Sequence, residues 1–287
     1  MCLYNKLKKM KDLSVLICSM NSPHFLRTCI MSLQKSFTVD AEIKVVLNNA
    51  DLESILVLKE RFPDVEFVVL NQNVGALGVD LFLPLLNSKY VANVNDDMLF
   101  YKGWDSYLIK MIESNYPCSA TSSRVERQEG YDTKDVVVDD LGDMSEEATY
   151  DRFVENMRRG KYRLDWSFTT YHPIVVRYED YVRVGGYSDG FDLKWVPGYA
   201  LDDYFAYRLW KLHNEKFRFI ASDIPFVYHN GGATTKRLKK EYKYGEDDKY
   251  VNPYFQWSYF QDKTGMSIGE FRNIVRNQLD VSGIKLV

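Results

Sequence analysis

Cysteine is scarce in this sequence, with Cys2, Cys18, Cys29 and Cys118 making up the whole complement. No two are spaced C-x-x-C, and three lie in apolar surroundings where a packed, reduced thiol is the default. Neither a disulfide framework nor a structural zinc site is expected. Long hydrophobic runs are missing too. The basic lead MCLYNKLKKMK has no apolar core of the signal-peptide kind, and no later segment is long and apolar enough to span a bilayer, so a cytoplasmic protein is expected. Charge of one sign is not in excess either. A net charge of -3 argues against a generally basic nucleic-acid-binding surface. No internal repeat is visible.

What remains is an ordinary globular composition, 46% hydrophobic and 27% charged over 287 residues, long enough to bury a sizeable core. One domain with a C-terminal appendage is expected. The aromatic fraction is high at 15%, with 21 Tyr and 5 Trp, and exposed aromatic rings stack on sugars and bases alike.

Apolar, β-leaning runs alternate with segments of helical periodicity along the first hundred residues, which predicts an α/β domain with a mostly parallel sheet. Leu13–Ser19, Ile43–Leu47, Val65–Leu70 and the run from Tyr90 read as strands, with helices over His24–Gln34, Leu52–Phe62 and Val79–Leu86. In such sheets the ligand sits beyond the carboxyl ends of the strands. The four strand ends carry Cys18-Ser19-Met20-Asn21, Asn48-Asn49-Ala50-Asp51, Asn71-Gln72-Asn73 and Asn95-Asp96-Asp97. All four are polar, and Asn and Asp also serve as ordinary turn formers. Adjacent Asp96 and Asp97 repel each other and resist burial, so a positive partner is expected. A hard divalent cation, Mg²⁺ or Mn²⁺, shared with substrate phosphates meets that need.

Trp104–Ser114 reads as a helix. The stretch 121–160 is dense in charge and poor in large apolar residues, which predicts an insertion or mobile loop with helix over Ser145–Arg159. Asp165–Val176 returns to strand character. A helix begins near Asp202-Asp203, where carboxylates also suit an N-terminal cap. Phe217–Ile220 and Ile224–Tyr228 read as short strands, the second followed by His229-Asn230-Gly231-Gly232. Lys236–Lys243 is basic, and Ser267–Leu279 reads as a last amphipathic helix.

Seven pieces of the chain, in order from about Leu13 to Gly265, resemble the family 2 glycosyltransferases of the GT-A fold. They are LSVLICSMN, VVLNNAD, NQNVGA, NVNDDM, VGGYSDGF, LDDYFAYRLW and VYHNGGATT. The resemblance implies a nucleoside-diphosphate sugar lying across the strand ends, with Ser19, Asn21, Asn48, Asn49, Asp51, Asn73, Gly75, Asn95 and Asp96 around it and a UDP-sugar favoured. It implies a metal, Mn²⁺ or Mg²⁺, on Asp97 with His229 as a further ligand. A carboxylate of the pair Asp202 and Asp203 would deprotonate the acceptor in an inverting transfer. Counting six residues back from Arg208 selects Asp202, whereas reading the pair as an acidic residue followed by the base selects Asp203. Gly186, Tyr187 and Trp195 are expected near the acceptor, which the family resemblance leaves as a glycan, a lipid-linked glycan, a protein or a modified base. In domain terms residues 1–235 form the transferase domain and 236–287 a helical extension packed on it.

Three positions depart from the family pattern: Asn48 and Asn95 replace the usual Asp, and Leu201 stands where an acidic residue precedes the pair. A side-chain amide at 48 can accept from uracil or donate to another base. Two other classes compete. A nucleotidyltransferase would carry a Gly-rich loop with a basic residue after the first strand, and Ser19-Met20-Asn21-Ser22-Pro23 has neither. A catalytically inactive carbohydrate-binding protein on the same fold would have little use for Asp96, Asp97, Asp202, Asp203 and His229 together.

Overall fold

The computed structural model describes residues 9–20, 22–71, 74–128, 136–165, 167–169, 172–187, 200–231 and 253–278. Its first strand, β1 (Lys11–Met20), is almost wholly buried, as a continuous apolar run in a central parallel strand must be. Helix α1 (Pro23–Ser36) follows with Pro at its first turn, and Leu26, Cys29, Ile30 and Leu33 fall on its buried face at helical spacing. Next come β2 (Ala41–Asn48), α2 (Leu52–Arg61) and β3 (Glu66–Leu70). Asp51 caps α2 by accepting from the Ser54 amide at 2.8 Å. The expected helix over 79–86 is a 3-10 helix, Gly75–Leu85, with Pro84 inside it. A proline there removes an amide that a continuing α-helix would need.

Strand β4 (Ser88–Asn95) returns alongside β1, followed by the three-residue β5 (Met98–Phe100), α3 (Trp104–Asn115) and β6 (Cys118–Thr121). The charged stretch beyond it contributes β7 (Arg124–Glu126), β8 (Val136–Val138) and α4 (Glu147–Arg158). β7 is buried, so the stretch 121–160, expected as an insertion or mobile loop, supplies a core strand. Then come β9 (Ser167–Phe168), β10 (Ile174–Arg177), α5 (Tyr178–Arg183), α6 (Ala200–Leu212), β11 (Arg218–Ala221) and β12 (Val227–His229). The described chain closes with α7 (Pro253–Thr264) and α8 (Ile268–Arg276).

Eight strands form one sheet in the order β3-β2-β1-β4-β10-β6-β11-β9. β10 and β9 run against the other six, so the sheet is mostly parallel. A second sheet of four has the order β5-β12-β7-β8. Aromatic packing ties the last helices to α6: Tyr207 meets both Phe260 and Phe271, and Trp210 meets Phe271. Cys18, Cys29 and Cys118 are free thiols, and burial pushes the Cys118 thiol up to about 12. Among the described residues no helix is long and apolar enough to cross a membrane.

Candidate active site

β1 lies between β2 and β4, so the chain winds outward in one direction from β1 and then resumes on its other side. This is the switch point of an open α/β sheet, where a crevice forms beyond the carboxyl ends. The register pairs Cys18 with Asn95, bringing Ser19 opposite the acidic turn. Ser19 Oγ donates to Asp96 Oδ2 at 2.6 Å, both residues being buried. Half-buried Asn95 ends β4.

Asp97 faces a different partner. β12 pairs antiparallel with β5 so that His229 sits opposite Met98, the residue after Asp97, and parallel with β7 so that His229 also sits opposite Glu126. His229 Nε2 lies 3.2 Å from Asp97 Oδ1, while Nδ1 lies 2.9 Å from each oxygen of Glu126. Burial opposes charge on this ring, but Asp97 and then Glu126 outweigh it and push the imidazole up to about 9. Arg124 Nε, 3.4 Å from Glu126, extends the chain of charges into the core. The Asn230 amide donates to the Asp97 carbonyl at 3.0 Å, closing the turn from β12 onto β5.

The second acidic pair divides sharply. Asp203 has no exposed surface and takes two hydrogen bonds from Arg272 of α8, at 3.1 and 2.7 Å. Asp202, one helix position earlier, keeps a side chain 34% exposed. Tyr187 donates its hydroxyl proton to Asp202 Oδ1, and His172 Nε2 stands 2.8 Å from that hydroxyl and 3.4 Å from Asp202 Oδ1. Both acidic residues lie in the first turn of α6 rather than at its cap. Burial, partly offset by Asp202, holds the His172 imidazole below its usual range, and Arg124, His229 and Asp97 also act on it.

The segment before Tyr187 is held from two sides. Arg208 donates to the backbone carbonyls of Val184, Gly186 (3.1 Å) and Tyr187 (2.6 Å). Asp80 accepts from the Tyr187 amide at 2.7 Å and the Tyr181 hydroxyl at 3.0 Å. Gly186 has φ +79°, and a Cβ there would stand 2.5 Å from Asp80 Oδ1, so only glycine fits.

Asn48 is buried and internally engaged: its Nδ2 donates to Cys18 Sγ (2.9 Å) and to the Gly75 carbonyl (3.2 Å), and its Oδ1 accepts from the Val74 amide (3.3 Å). It ties the start of the 3-10 helix to β1. Asn49, next to it, is exposed with φ 49°. Asp51 is exposed at the head of α2, bonded to Ser54. Asn21, Asn73 and Trp195 lie outside the described residues. Glu126, Arg124 and His172 carried no signal in the sequence. The first two sit in a charged stretch that reads as solvated, and a lone His before Pro reads as a strand start.

The switch point of the eight-stranded sheet, with its carboxylates and the imidazole brought in by the second sheet, gives an open α/β architecture with an acidic cluster at its strand ends. The glycosyl transferase family 2 profile matches residues 14–172, more than half of the chain, and the chain belongs to that family. Two solved structures of S. aureus TarS share the fold. One is 12% identical with a TM-score of 0.56, covering 94% of this chain and 50% of that one. The other, of TarS 1-349, is 11% identical with a TM-score of 0.55, covering 94% of this chain and 82% of that one. This chain thus spans half the length of the longer TarS chain. None of the curated proteins matches.

Proposed function

We propose that this protein is a metal-dependent, inverting glycosyltransferase that moves a sugar from a nucleoside-diphosphate donor, a UDP-sugar by preference, to an acceptor hydroxyl. The observation that carries this reading is the position of Asp96 and Asp97 at the switch point, one held by Ser19 and the other facing His229. Asp96 and Asn95 would meet the donor's ribose, and Asn48 braces the loop at Val74 and Gly75.

The donor set suits a divalent ion. Glu126 engages Nδ1 and leaves Nε2 aimed at a carboxylate oxygen, the arrangement by which a second carboxylate orients a metal-ligating imidazole. Among the described residues no group of three such side chains is disposed to hold an ion, so a cation here would need substrate phosphates to complete its shell. Asp97 and His229 would hold it, and when bound it supplies Lewis-acid stabilisation of the departing diphosphate.

The chain's own residues account for the rest. Asp202, the accessible member of its pair, takes the acceptor's hydroxyl proton. The acceptor oxygen forms its bond to the anomeric carbon as the bond from that carbon to the phosphate oxygen breaks, and the electron pair leaves with the nucleoside diphosphate. Asp203, locked to Arg272, holds α6 in place. The acceptor class follows the family: a glycan, a lipid-linked glycan, a protein or a modified base.

Release of nucleoside diphosphate from UDP-, GDP- and CDP-hexoses with Mn²⁺ tests the reading. Asp202→Asn should lower the rate roughly 10²- to 10⁴-fold, the ordinary value of a general base, while donor binding by calorimetry persists. Near-full rates in both Asp202→Asn and Asp203→Asn would overturn the inverting mechanism.

A further inference from the structure

Asp202 is not presented to the crevice as an isolated carboxylate. We propose that Tyr187 and His172 are positioning residues for it: a hydrogen-bonded chain His172–Tyr187–Asp202 fixes Oδ1 and leaves Oδ2 to meet the acceptor hydroxyl. The proposal deepens the reading above and rests on Asp202 being the base.

The chain has a direction. A carboxylate only accepts, so the Tyr187 proton goes to Asp202 Oδ1. The tyrosine oxygen is then free to accept from His172 Nε2 at 2.8 Å, which requires the proton of the neutral ring to be on Nε2. Nδ1 becomes the acceptor nitrogen. It is buried and has no hydrogen-bond partner among the described residues, so the ring is not held by a second bond on that side. What keeps His172 oriented is Tyr187 itself, through this bond and an edge-on ring contact at 5.7 Å.

Tyr187 is in turn fixed from three directions. Its ring packs on Phe205, its amide is held by Asp80, and its carbonyl is held by Arg208. Arg208 and Phe205 are on α6, the helix that carries Asp202. One helix therefore bears the carboxylate and, a turn or two later, the side chains that clamp the tyrosine against it. Gly186 is part of the same device, because its left-handed backbone and missing Cβ let Asp80 reach the Tyr187 amide.

During transfer the acceptor's proton moves to Oδ2 and the Tyr187 proton stays on its own oxygen, so no further proton is consumed. The titratable and charged groups acting on His172 and Tyr187 are Asp202, Asp203, Tyr181, Arg124, Asp97 and His229, and Arg208 holds the Tyr187 carbonyl. Removing the tyrosine hydroxyl takes a charge-assisted bond from the anionic form only. The acid limb of the rate profile should therefore move upward.

The test uses the full chain with Mn²⁺ and the same panel of nucleoside-diphosphate hexoses, following diphosphate release against pH. Tyr187→Phe is expected to lower kcat by about tenfold, raise the acid limb, and leave donor KM unchanged. His172→Gln, whose amide can still donate to the tyrosine, should retain most of the rate, and His172→Leu should resemble Tyr187→Phe. A wild-type kcat and acid limb in Tyr187→Phe, with Asp202→Asn inactive, would overturn the positioning role while leaving the base in place. An active Asp202→Asn would instead remove the reading beneath it. ¹⁵N NMR of the histidine rings gives a readout independent of turnover. A neutral His172 protonated on Nε2 at pH 7 is expected, and protonation on Nδ1 would overturn the chain.

Discussion

At the scale of single residues, the most consequential placement is His229 between Asp97 and Glu126. The folded protein binds the imidazole proton more tightly than the unfolded chain does, about 9 against 6.5. The contribution to stability is thus complete below pH 6.5 and is lost as pH rises through about 9. Urea unfolding between pH 6.5 and 9.5 should show wild-type stability falling relative to His229→Gln, with the two curves closing at the alkaline end. Parallel curves would mean that the ring is neutral in the folded protein. His229 could be singled out from the sequence because it ends a strand run and precedes two glycines. Its partner Glu126 was not legible. A glutamate amid Arg124, Arg127 and the acidic run beyond looks solvated, and only the β7–β12 register shows that its carboxylate is spent on an imidazole.

At the scale of elements, α6 and α8 work as a pair. Ser267 and Glu270 form a capping box at the head of α8, Phe271 and Val275 are buried beneath it, and Arg272 reaches Asp203. Asp203 is fully buried while Arg272 keeps 30% of its side chain exposed, so removing the carboxylate forfeits the charge-assisted hydrogen bonds at a cost of about 1.5–3 kcal/mol. Asp203→Ala should therefore lower the melting temperature by several degrees, whereas Asp202→Asn should leave it within a degree or two. Equal losses would erase the division of labour within the pair. The sequence showed α8 through its periodicity and α6 through the acidic pair at its start, yet could not settle which carboxylate is the base, because only tertiary packing decides which one meets Arg272. Short strands escaped for a related reason: β5, β7 and β8 have three residues each, too few for an alternation to show.

At the scale of the whole molecule, the two sheets divide the site. The eight-stranded sheet supplies Ser19 and Asp96, and the four-stranded sheet brings His229 to Asp97. Asp97→Ala removes the carboxylate of that shared pair. UDP with Mn²⁺ should raise the melting temperature of the wild type but not of Asp97→Ala, since only a ligand that binds the folded state shifts it. A shift of equal size in both proteins would take the cation away from Asp97.

Ser19 and Asp96 are 77 residues apart, and Glu126 and His229 are 103 apart. The imidazole is therefore among the last parts of the site to be synthesised. A growing chain emerges amino end first, and its early domain can collapse around β1, β2 and β4 well before β12 exists. Until then Asp97 and Glu126 are two acidic groups with no imidazole between them, and the charge balance of this corner of the fold is completed only when β12 pairs with β5 and β7.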